Sequence, residues 1–291
     1  MSNLLDLVGN TPLVELTRLH DNPKVKIFGK LEGDNPGGSV KDRAAKSMIQ
    51  GALERGEIKA GTKLIEATSG NTGIALAMIA RLYGIEIELA MPSNSTKERI
   101  LTMEAFGARV TLTETIEAAR DYAVEKSKSG EYILLNQFEN PDNYLAHYRT
   151  TGPEIYRDTQ GKITHFVSSM GTTGTIMGTS MYLKEQSPDI QIVGCQPTEG
   201  SKIPGIRRWP IEYRPKIYEP SRVDRIMDVS EVDATEMTRK LAKVEGVFGG
   251  MSSGGGVSAS IRLANELEEG LIVCIICDRG DRYLSSGLFG D

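Results

Sequence analysis

A lysine at the start of a predicted helix carries the strongest chemical signature of this chain. Lys41 follows a Pro/Gly loop in the segment DNPGGSVKDR, residues 34–43, where Ser39 is placed to cap the helix. At helical spacing Lys41 lies within an apolar arc, whereas Asp42 and Arg43 lie on the polar arc. Burial and the helix dipole both lower an ammonium pKa, so we predict a nucleophilic lysine that can form a Schiff base with a carbonyl. The alternative is a lysine whose ammonium group reaches solvent.

Three other segments place glycine and hydroxyl residues at the start of a predicted helix. They are TSGNTG at residues 68–73, GTTGT at 171–175 and SSGGG at 252–256. Free N–H groups and the helix dipole attract anions there, and open α/β sheets bind ligands at the carboxyl ends of their strands. One such segment is common in α/β proteins and needs no ligand. Three of them with a buried lysine match the phosphate and carbonyl of pyridoxal phosphate and the carboxylate of an amino acid.

Nucleotide and metal sites do not fit the sequence. There is no GxxxxGK[ST] segment, and none of the three loops spells GxGxxG with an acidic residue about 20 positions on. The histidines lack metal-ligand spacing, so no metal is expected. Cys274 and Cys277 lie in an apolar run that predicts a buried parallel strand, where residues three apart point to opposite faces. We therefore predict that they and Cys195 are core thiols without a shared metal or disulfide.

Composition excludes several function classes. Of the 291 residues 39% are apolar and 25% charged, as in ordinary globular proteins, and the formal net charge is −5. No long run of Lys or Arg occurs, which argues against a general nucleic-acid or membrane-surface binder. No apolar run approaches the roughly 18 residues of a membrane span, and residues 1–4 lack a signal-peptide profile. A cytoplasmic location is predicted.

Strand-like and helix-like stretches alternate along the chain, which predicts an α/β fold with parallel sheets covered by helices. The predicted strands cover residues 24–31, 63–67, 85–91, 109–112, 132–135, 164–169, 190–195 and 271–277. The predicted helices cover residues 71–83, 96–106, 116–128, 174–185, 234–244 and 257–268. We predict two three-layer lobes with the active site in the cleft between them. Residues 38–142 form a smaller, mobile lobe, and residues 1–37 with 143–291 form a larger one.

Seven segments in order along the chain resemble the cysteine synthase (O-acetylserine sulfhydrylase) family, which belongs to the tryptophan-synthase-β-like group of pyridoxal phosphate enzymes. They are GNTPLV at 9–14, SVKDR at 39–43, TSGNTG at 68–73, NQF at 136–138, TGPEI at 151–155, GTTGT at 171–175 and RYLS at 282–285. The resemblance extends from end to end. Two segments, IPGIRRWP at 203–210 and CDRGDR at 277–282, look like the B-type branch of that family rather than the A-type.

The resemblance implies a role for each matching residue. Lys41 would form the Schiff base with pyridoxal 5′-phosphate, Asn71 would bind the ring hydroxyl and Ser252 would face the ring nitrogen. The phosphate would be held by Gly171, Thr172, Thr173, Gly174 and Thr175. The substrate-binding residues would be Thr68, Ser69, Thr72, Gln137, Gly205, Arg207 and Arg208. The two arginines would pair with an anionic group of a substrate.

The predicted reaction is β-replacement on O-acetylserine through an α-aminoacrylate intermediate. A serine at the ring nitrogen, instead of an aspartate, favours loss of a β-substituent over transamination. Sulfide would give cysteine and thiosulfate would give S-sulfocysteine, while O-phosphoserine also fits the arginines. A cystathionine-forming enzyme, a serine or threonine dehydratase and a catalytically silent binding homologue are the alternatives. The resemblance also implies a homodimer acting on small molecules.

Overall fold

The structure is a computed structural model and describes residues 3–290. Residues 1, 2 and 291 lie outside the described residues; they include the first positions of the signal-peptide argument and both ends of the predicted larger lobe. Within residues 3–290, no helix combines the length and apolar character needed to cross a membrane. The same part of the chain holds no cluster of three His, Cys, Asp or Glu side chains able to hold a metal ion.

The strands form two separate sheets. The first contains β1 (Leu13–Glu15), β2 (Val25–Leu31), β7 (His165–Ser169), β8 (Gln191–Pro197), β9 (Arg225–Val229) and β10 (Gly270–Ile276). The second contains β3 (Lys63–Ala67), β4 (Glu86–Pro92), β5 (Arg109–Thr113) and β6 (Tyr132–Leu134). The strand orders are β1-β2-β10-β7-β8-β9 and β5-β4-β3-β6, and all pairs are parallel except β1 with β2. The α/β fold with mostly parallel sheets is confirmed.

Nine α-helices occur within residues 3–290. They are α1 (Lys41–Glu54), α2 (Asn71–Leu82), α3 (Lys97–Ala105), α4 (Ile116–Ser127), α5 (Pro141–Ala146), α6 (Gly152–Asp158), α7 (Gly174–Gln186), α8 (Glu231–Lys240) and α9 (Met251–Ala264). The strands β1 and β9 and the helices α5 and α6 were not predicted. These elements are short, and their hydrophobic periods are too brief to be recognised in the sequence.

Each sheet is buried on both faces. In β7, Val167 packs with α9 residues in one core cluster, whereas its neighbour Phe166 packs with α7 residues in another. In β3, Leu64 packs with residues of α1 and α2, whereas Ile65 packs with residues of α4. Successive strand residues point to opposite faces, so this alternation shows helices on both sides of each sheet. The boundaries of the two lobes at residues 38 and 142 remain a prediction.

The third glycine segment is helical, whereas the sequence predicted a loop at 252–256. The reason is close packing between helices, because a Cβ atom at Gly254 would lie 2.1 Å from Thr238 Oγ1 of α8. Glycine is thus required where α8 crosses the first turns of α9, and the cost of glycine in a helix is offset by that contact. Ser252 becomes the second residue of α9.

The first turn of α1 differs from its predicted polarity. Asp42 and Arg43, which were assigned to a polar arc, are 0% and 3% exposed. Helical periodicity considers one helix with one apolar partner. Here Glu32, which directly follows β2, and Glu154 of α6 cover the polar side as well. Ser39 does not occupy the N-cap position, which belongs to Val40, but its Oγ accepts a hydrogen bond from Lys41 N at 3.2 Å.

Candidate active site

One cavity brings together most of the predicted site residues. Its lining includes Lys41, Ser69, Asn71, Thr72, Gln137, Gly171, Thr172, Thr175, Gly205, Arg207 and Ser252. The predicted residues outside the lining are Thr68, Thr173, Gly174 and Arg208. The lining residues follow β3, β6 and β7 and open α1, α2, α7 and α9, as expected for ligands at the carboxyl ends of parallel strands.

Lys41 opens α1 and reaches this cavity. Its side chain is partly buried, and within residues 3–290 its amino group makes no hydrogen bond or ion pair. Burial lowers the pKa of Lys41 below its ordinary value, and nearby Cys277, Asp278 and Glu32 offset that effect only in part. The direction agrees with the sequence-based prediction. A lysine with a lowered pKa has a larger neutral fraction at pH 7 and is a better nucleophile and base.

The loop at 68–73 leaves the start of α2 open to an anion. Thr68 Oγ1 accepts hydrogen bonds from the N–H groups of Gly70 and Gly73, both at 3.0 Å, and so shapes the loop from behind. The N-cap Gly70 gives α2 no side-chain cap, and although Thr68 accepts the N–H of the third helical residue, the N–H groups of Asn71 and Thr72 make no hydrogen bond within residues 3–290. Thr72 Oγ1 donates to Gln137 Oε1 at 2.8 Å, which ties this loop to the segment after β6. Uncapped N–H groups at a helix start attract carboxylates.

The loop at 171–175 likewise leaves the start of its helix, α7, open to an anion. Thr173, the N-cap of α7, has a left-handed backbone with φ 72° and provides no side-chain cap. Its Oγ1 is buried and finds no hydrogen-bond partner within residues 3–290. A Cβ at Gly171 would lie 2.4 Å from Gly205 O, and one at Gly174 would lie 2.0 Å from Asn143 Oδ1. Only glycine allows the backbone to approach so closely.

Ser252 and Cys277 line the remaining wall. Ser252 is buried near the start of α9, and its carbonyl accepts a hydrogen bond from Ser169 Oγ at 2.8 Å. Cys277 is only half-buried and faces the cavity, so the prediction of a core thiol is wrong for this residue. Cys277 directly follows β10, and the carboxyl ends of the strands face the cavity. Burial raises the pKa of its thiol to about 11. Cys195 and Cys274 are buried, free core thiols, as predicted.

Asn71 is held by groups from the end of the chain. Its Nδ2 donates to Asp278 Oδ2 at 2.7 Å, and its Oδ1 accepts from the Arg282 guanidinium. Tyr283 OH donates to the same Asp278 oxygen at 2.6 Å. No role was predicted for Asp278 or Tyr283 from the sequence, although Asp278 lies just past a buried strand, where site residues are expected. The contact of Asn71 with a ring hydroxyl stays a prediction.

The two adjacent arginines, Arg207 and Arg208, have different surroundings. Arg207 lines the cavity, and its backbone N–H donates to Met170 O at 3.0 Å. Arg208 pairs instead with Asp228 at 2.6 Å and donates to Pro197 O at 3.0 Å. Trp209, not predicted as a site residue, donates its indole N–H to Gly171 O at 2.7 Å and lines the cavity. The structure thus brings one of the two arginines into the site.

Glu66, which the sequence analysis missed, fixes the segment that carries Gln137. Its carboxylate accepts the N–H of Asn136 at 2.9 Å and the N–H of Gln137 at 3.1 Å. Asn136 has a left-handed backbone with φ 57°, so this turn needs external support. Burial raises the pKa of Glu66 to about 7, although the two backbone hydrogen bonds oppose the shift.

Replacing Glu66 with glutamine should lower the free energy of unfolding by about 1–3 kcal/mol, because the amide can accept only one of the two N–H groups. Its raised pKa means that the folded state binds more protons than the unfolded state between about pH 4.3 and the folded pKa. Wild-type stability should therefore contain a contribution that declines as pH rises through that window, and the variant should lack it. Urea unfolding at several pH values measures both, with the exposed Glu86→Gln as control. An unchanged pH dependence in Glu66→Gln would contradict this prediction.

Comparison with known proteins places these features in a family. Residues 4–278 match the family model described as pyridoxal-phosphate dependent enzyme. The chain belongs to this family. It is 59% identical over 289 residues to cysteine synthase B of Pseudomonas aeruginosa, covering 98% of this chain and 97% of the relative.

Two solved structures have the same fold. Cysteine synthase of Entamoeba histolytica superposes with a TM-score of 0.92 at 38% identity, covering 99% of this chain and 90% of the other. An O-acetylserine dependent cystathionine beta-synthase from Helicobacter pylori superposes with a TM-score of 0.92 at 36% identity, covering 99% of each chain.

Pyridoxal phosphate is the cofactor of this family, and the cavity fits it. The start of α7 has no side-chain cap, and Thr172 and Thr175 line the cavity beside it, so this loop offers hydrogen-bond donors to a phosphate. Gly171 and Gly174 leave room for the backbone around it, and Lys41 lines the same cavity with a pKa lowered by burial. The donor set thus supplies one anion site and one free amine, which the phosphate and the carbonyl of the cofactor require.

Gly174→Ala should weaken binding of pyridoxal phosphate about tenfold or more, because a methyl group 2.0 Å from Asn143 Oδ1 would force the loop apart. Titration of cofactor-free protein with pyridoxal phosphate, followed by visible absorption, measures the Kd. Gln186→Ala, an exposed substitution at the far end of α7, should leave the Kd unchanged. Equal Kd values for Gly174→Ala and the wild type would show that this loop does not hold the cofactor.

Proposed function

We propose that this chain is a cysteine synthase, which replaces the acetyloxy group of O-acetyl-L-serine with sulfide and releases L-cysteine and acetate. The observation that carries the proposal is Lys41, an amine without a partner in residues 3–290, in one cavity with two uncapped helix starts. The 59% identity to cysteine synthase B over 98% of this chain supports it.

The two helix starts would bind different anionic groups. The loop at 171–175 would hold the cofactor phosphate. Ser252 would face the ring nitrogen, and Asn71 would bind the ring hydroxyl. The loop at 68–73, together with Gln137, would hold the substrate carboxylate. Pyridoxal phosphate, when bound, supplies an electron-withdrawing ring that stabilises negative charge at the α-carbon of an attached amino acid. We assign the carboxylate loop to a smaller lobe of residues 38–142, which moves against the rest of the chain.

Lys41 has two tasks in this proposal. In the resting enzyme Nζ would hold the cofactor covalently. The amino group of the substrate would replace Nζ on the cofactor, and the freed Nζ would then take the α-proton of the bound amino acid before acetate leaves. The lowered pKa of Lys41 suits the second task, because a general base must be unprotonated at working pH. Ser252 has no charge, so it does not hold a proton on the ring nitrogen as a carboxylate would. That setting favours loss of the β-substituent over transamination.

The walls of the cavity limit access of water to the reacting atoms. Trp209 and Phe138 pack edge to face with ring centroids 5.6 Å apart, and both line the cavity. A dehydratase releases the product of β-elimination, and water then hydrolyses that product at its C=N bond to pyruvate and ammonia. A sulfhydrylase must shield the same product from water until the sulfur nucleophile adds at the β-carbon. This apolar pair therefore supports sulfur transfer over hydrolysis.

The test is product formation by the holoenzyme. With O-acetylserine and sulfide, the proposal predicts L-cysteine and acetate in equal amounts. Pyruvate and ammonia as the main products would identify a dehydratase, and a protein that binds O-acetylserine without turnover would be a silent homologue. Either result would overturn the proposal.

The sulfur donor and the acyl donor define a second set of candidates. Arg207 lines the cavity and can pair with an anion, which favours thiosulfate as a second donor, with S-sulfocysteine as its product. The same arginine suits O-phosphoserine in place of O-acetylserine. Homocysteine as nucleophile would make a cystathionine-forming enzyme, the activity named for the Helicobacter pylori neighbour. Rates with each pair of substrates under one set of conditions rank these candidates.

We also propose that the enzyme is a homodimer and works in the cytoplasm. Both statements rest on the family resemblance. Sedimentation equilibrium of the holoenzyme measures the first. A monomer at micromolar concentration would contradict it.

A further inference from the structure

Arg99 is a buried arginine without an anionic partner. It lies near the start of α3, is 4% exposed, and forms no ion pair within residues 3–290. Its Nε has no hydrogen-bond partner in the same part of the chain, and its Nη1 makes only a long hydrogen bond of 3.4 Å to Ser69 O. An unpaired buried charge is strongly unfavourable, so such a guanidinium indicates a place where an anionic ligand completes the structure.

The guanidinium lies against the loop at 68–73. A Cβ at Gly70 would be 2.7 Å from Arg99 Nε and 3.1 Å from its Cζ, so the arginine packs directly on the loop backbone. Gly70 adopts φ 147°, a conformation open to glycine, and precedes the uncapped start of α2. The positive charge of Arg99 therefore adds to the helix dipole at the same point.

The opposite side of Arg99 is covered by Tyr283. The guanidinium carbon lies 4.7 Å from the centre of the Tyr283 ring, a cation–π contact that keeps the group in place. The Tyr283 hydroxyl donates to Asp278, and no hydrogen bond joins it to Arg99 within residues 3–290. The ring and the loop thus hold the guanidinium from two sides, and Arg99 also lines the cavity that contains Lys41.

We propose that Arg99 is a specificity-determining residue that makes binding of the amino-acid substrate depend on its carboxylate charge. This inference rests on the proposed function, in which an amino acid binds at the loop at 68–73. Backbone N–H groups and Gln137 give the carboxylate its hydrogen bonds, and Arg99 supplies the full positive charge that neutral donors lack. An amino acid whose carboxylate is replaced by an amide loses that interaction.

The experiment compares two unreactive ligands of the holoenzyme, L-alanine and L-alaninamide, which differ only in the charged group. Binding of each is followed through the visible absorption of the cofactor. In Arg99→Met, which keeps most of the aliphatic side chain, the Kd for L-alanine should rise about tenfold or more, while the Kd for L-alaninamide changes less than about twofold. Arg99→Lys keeps the charge but loses the planar group that stacks on Tyr283, and it should bind L-alanine more tightly than Arg99→Met does.

Lys97→Met is the matched control. It removes one positive charge from the same helix at an exposed position, and should leave both Kd values unchanged. Equal weakening of both ligands by Arg99→Met, with no rescue in Arg99→Lys, would mean a purely structural role and would overturn the inference. So would a wild-type Kd for L-alanine in Arg99→Met. If Arg99 instead bound an inorganic anion, added sulfate would raise the Kd for both ligands in the wild type and for neither ligand in Arg99→Met. That result would also overturn the inference.

Failure of the proposed function gives a different result. Because neither alanine ligand undergoes sulfur transfer, their binding is independent of cysteine formation. A protein that makes no cysteine from O-acetylserine, yet shows the carboxylate-specific loss in Arg99→Met, would retain this inference and lose the proposed activity.

Discussion

Lys41→Ala is expected to lower the rate of cysteine formation from O-acetylserine by about 10³-fold or more, because it removes the cofactor's covalent attachment and the base that takes the α-proton. The variant should still bind pyridoxal phosphate through the loop at 171–175, and its visible absorption should resemble that of the free cofactor. Initial rates with saturating cofactor and the absorption spectrum of the purified variant measure the two effects.

Lys46→Ala is the control for this experiment. Lys46 lies on the same helix, but its ammonium donates to Leu5 O at 2.8 Å and lies outside the active-site cavity. Its removal should leave the absorption spectrum and the rate within about twofold of the wild type, as surface substitutions away from a site usually do. A Lys41→Ala protein with undiminished activity would contradict the assignment of this lysine.

Arg43→Met should lower the free energy of unfolding by about 3–5 kcal/mol, the range for removing one partner of a buried ion pair. The Arg43 guanidinium lies 2.7 Å from Glu32 Oε2 and 2.7 Å from Glu154 Oε1, and all three side chains are buried. Its loss leaves two buried carboxylates short of their main cation, although Lys30 remains 2.9 Å from Glu154. Urea unfolding of cofactor-free protein measures the change.

The matched control is Arg225→Met. Arg225 also forms a two-point pair, with Glu266, but both side chains are nearly half exposed. Exposed pairs contribute about 0–1 kcal/mol, so a small change is expected there. Similar losses in Arg43→Met and Arg225→Met would mean that burial of the Arg43 cluster does not determine its contribution.

The same cluster predicts acid sensitivity. Burial alone would raise the pKa of Glu154, but the hydrogen bonds and charge of Arg43 outweigh burial and lower it to about 2. A carboxyl with a lowered pKa stabilises the fold above its unfolded pKa of about 4.3, and this stabilisation is lost as pH falls toward the folded pKa. Wild-type stability should therefore decline below about pH 4, and Arg43→Met should lose part of that decline.

The sequence predicted the architecture well because its signals are local. The glycine and hydroxyl residues at 68–73 and 171–175 and the apolar runs before them are properties of single strand-to-helix joints, and both joints line the cavity. Lys41 was recognised because its loop and its helical arc are contiguous in the sequence. A short strand such as β9 carries no such signal, and it is fixed by pairing with β8.

The residues that the sequence analysis missed depend on contacts between distant segments. Glu66 meets residues of the turn after β6, and Arg99 meets the loop before α2 and the Tyr283 ring. Arg43 was misassigned because its partners Glu32 and Glu154 come from elements before and far after α1. A single sequence shows the charges on a helix face but not the elements that cover them.

The central claim, that Lys41 carries the cofactor in this cavity, has one direct test. Holoenzyme is treated with borohydride, which fixes the cofactor to the lysine that holds it, then digested and examined by mass spectrometry. The cofactor mass is expected on the peptide that contains Lys41, and it should be absent from that peptide when O-acetylserine is added before reduction. Modification of a different lysine, or of none, would contradict it.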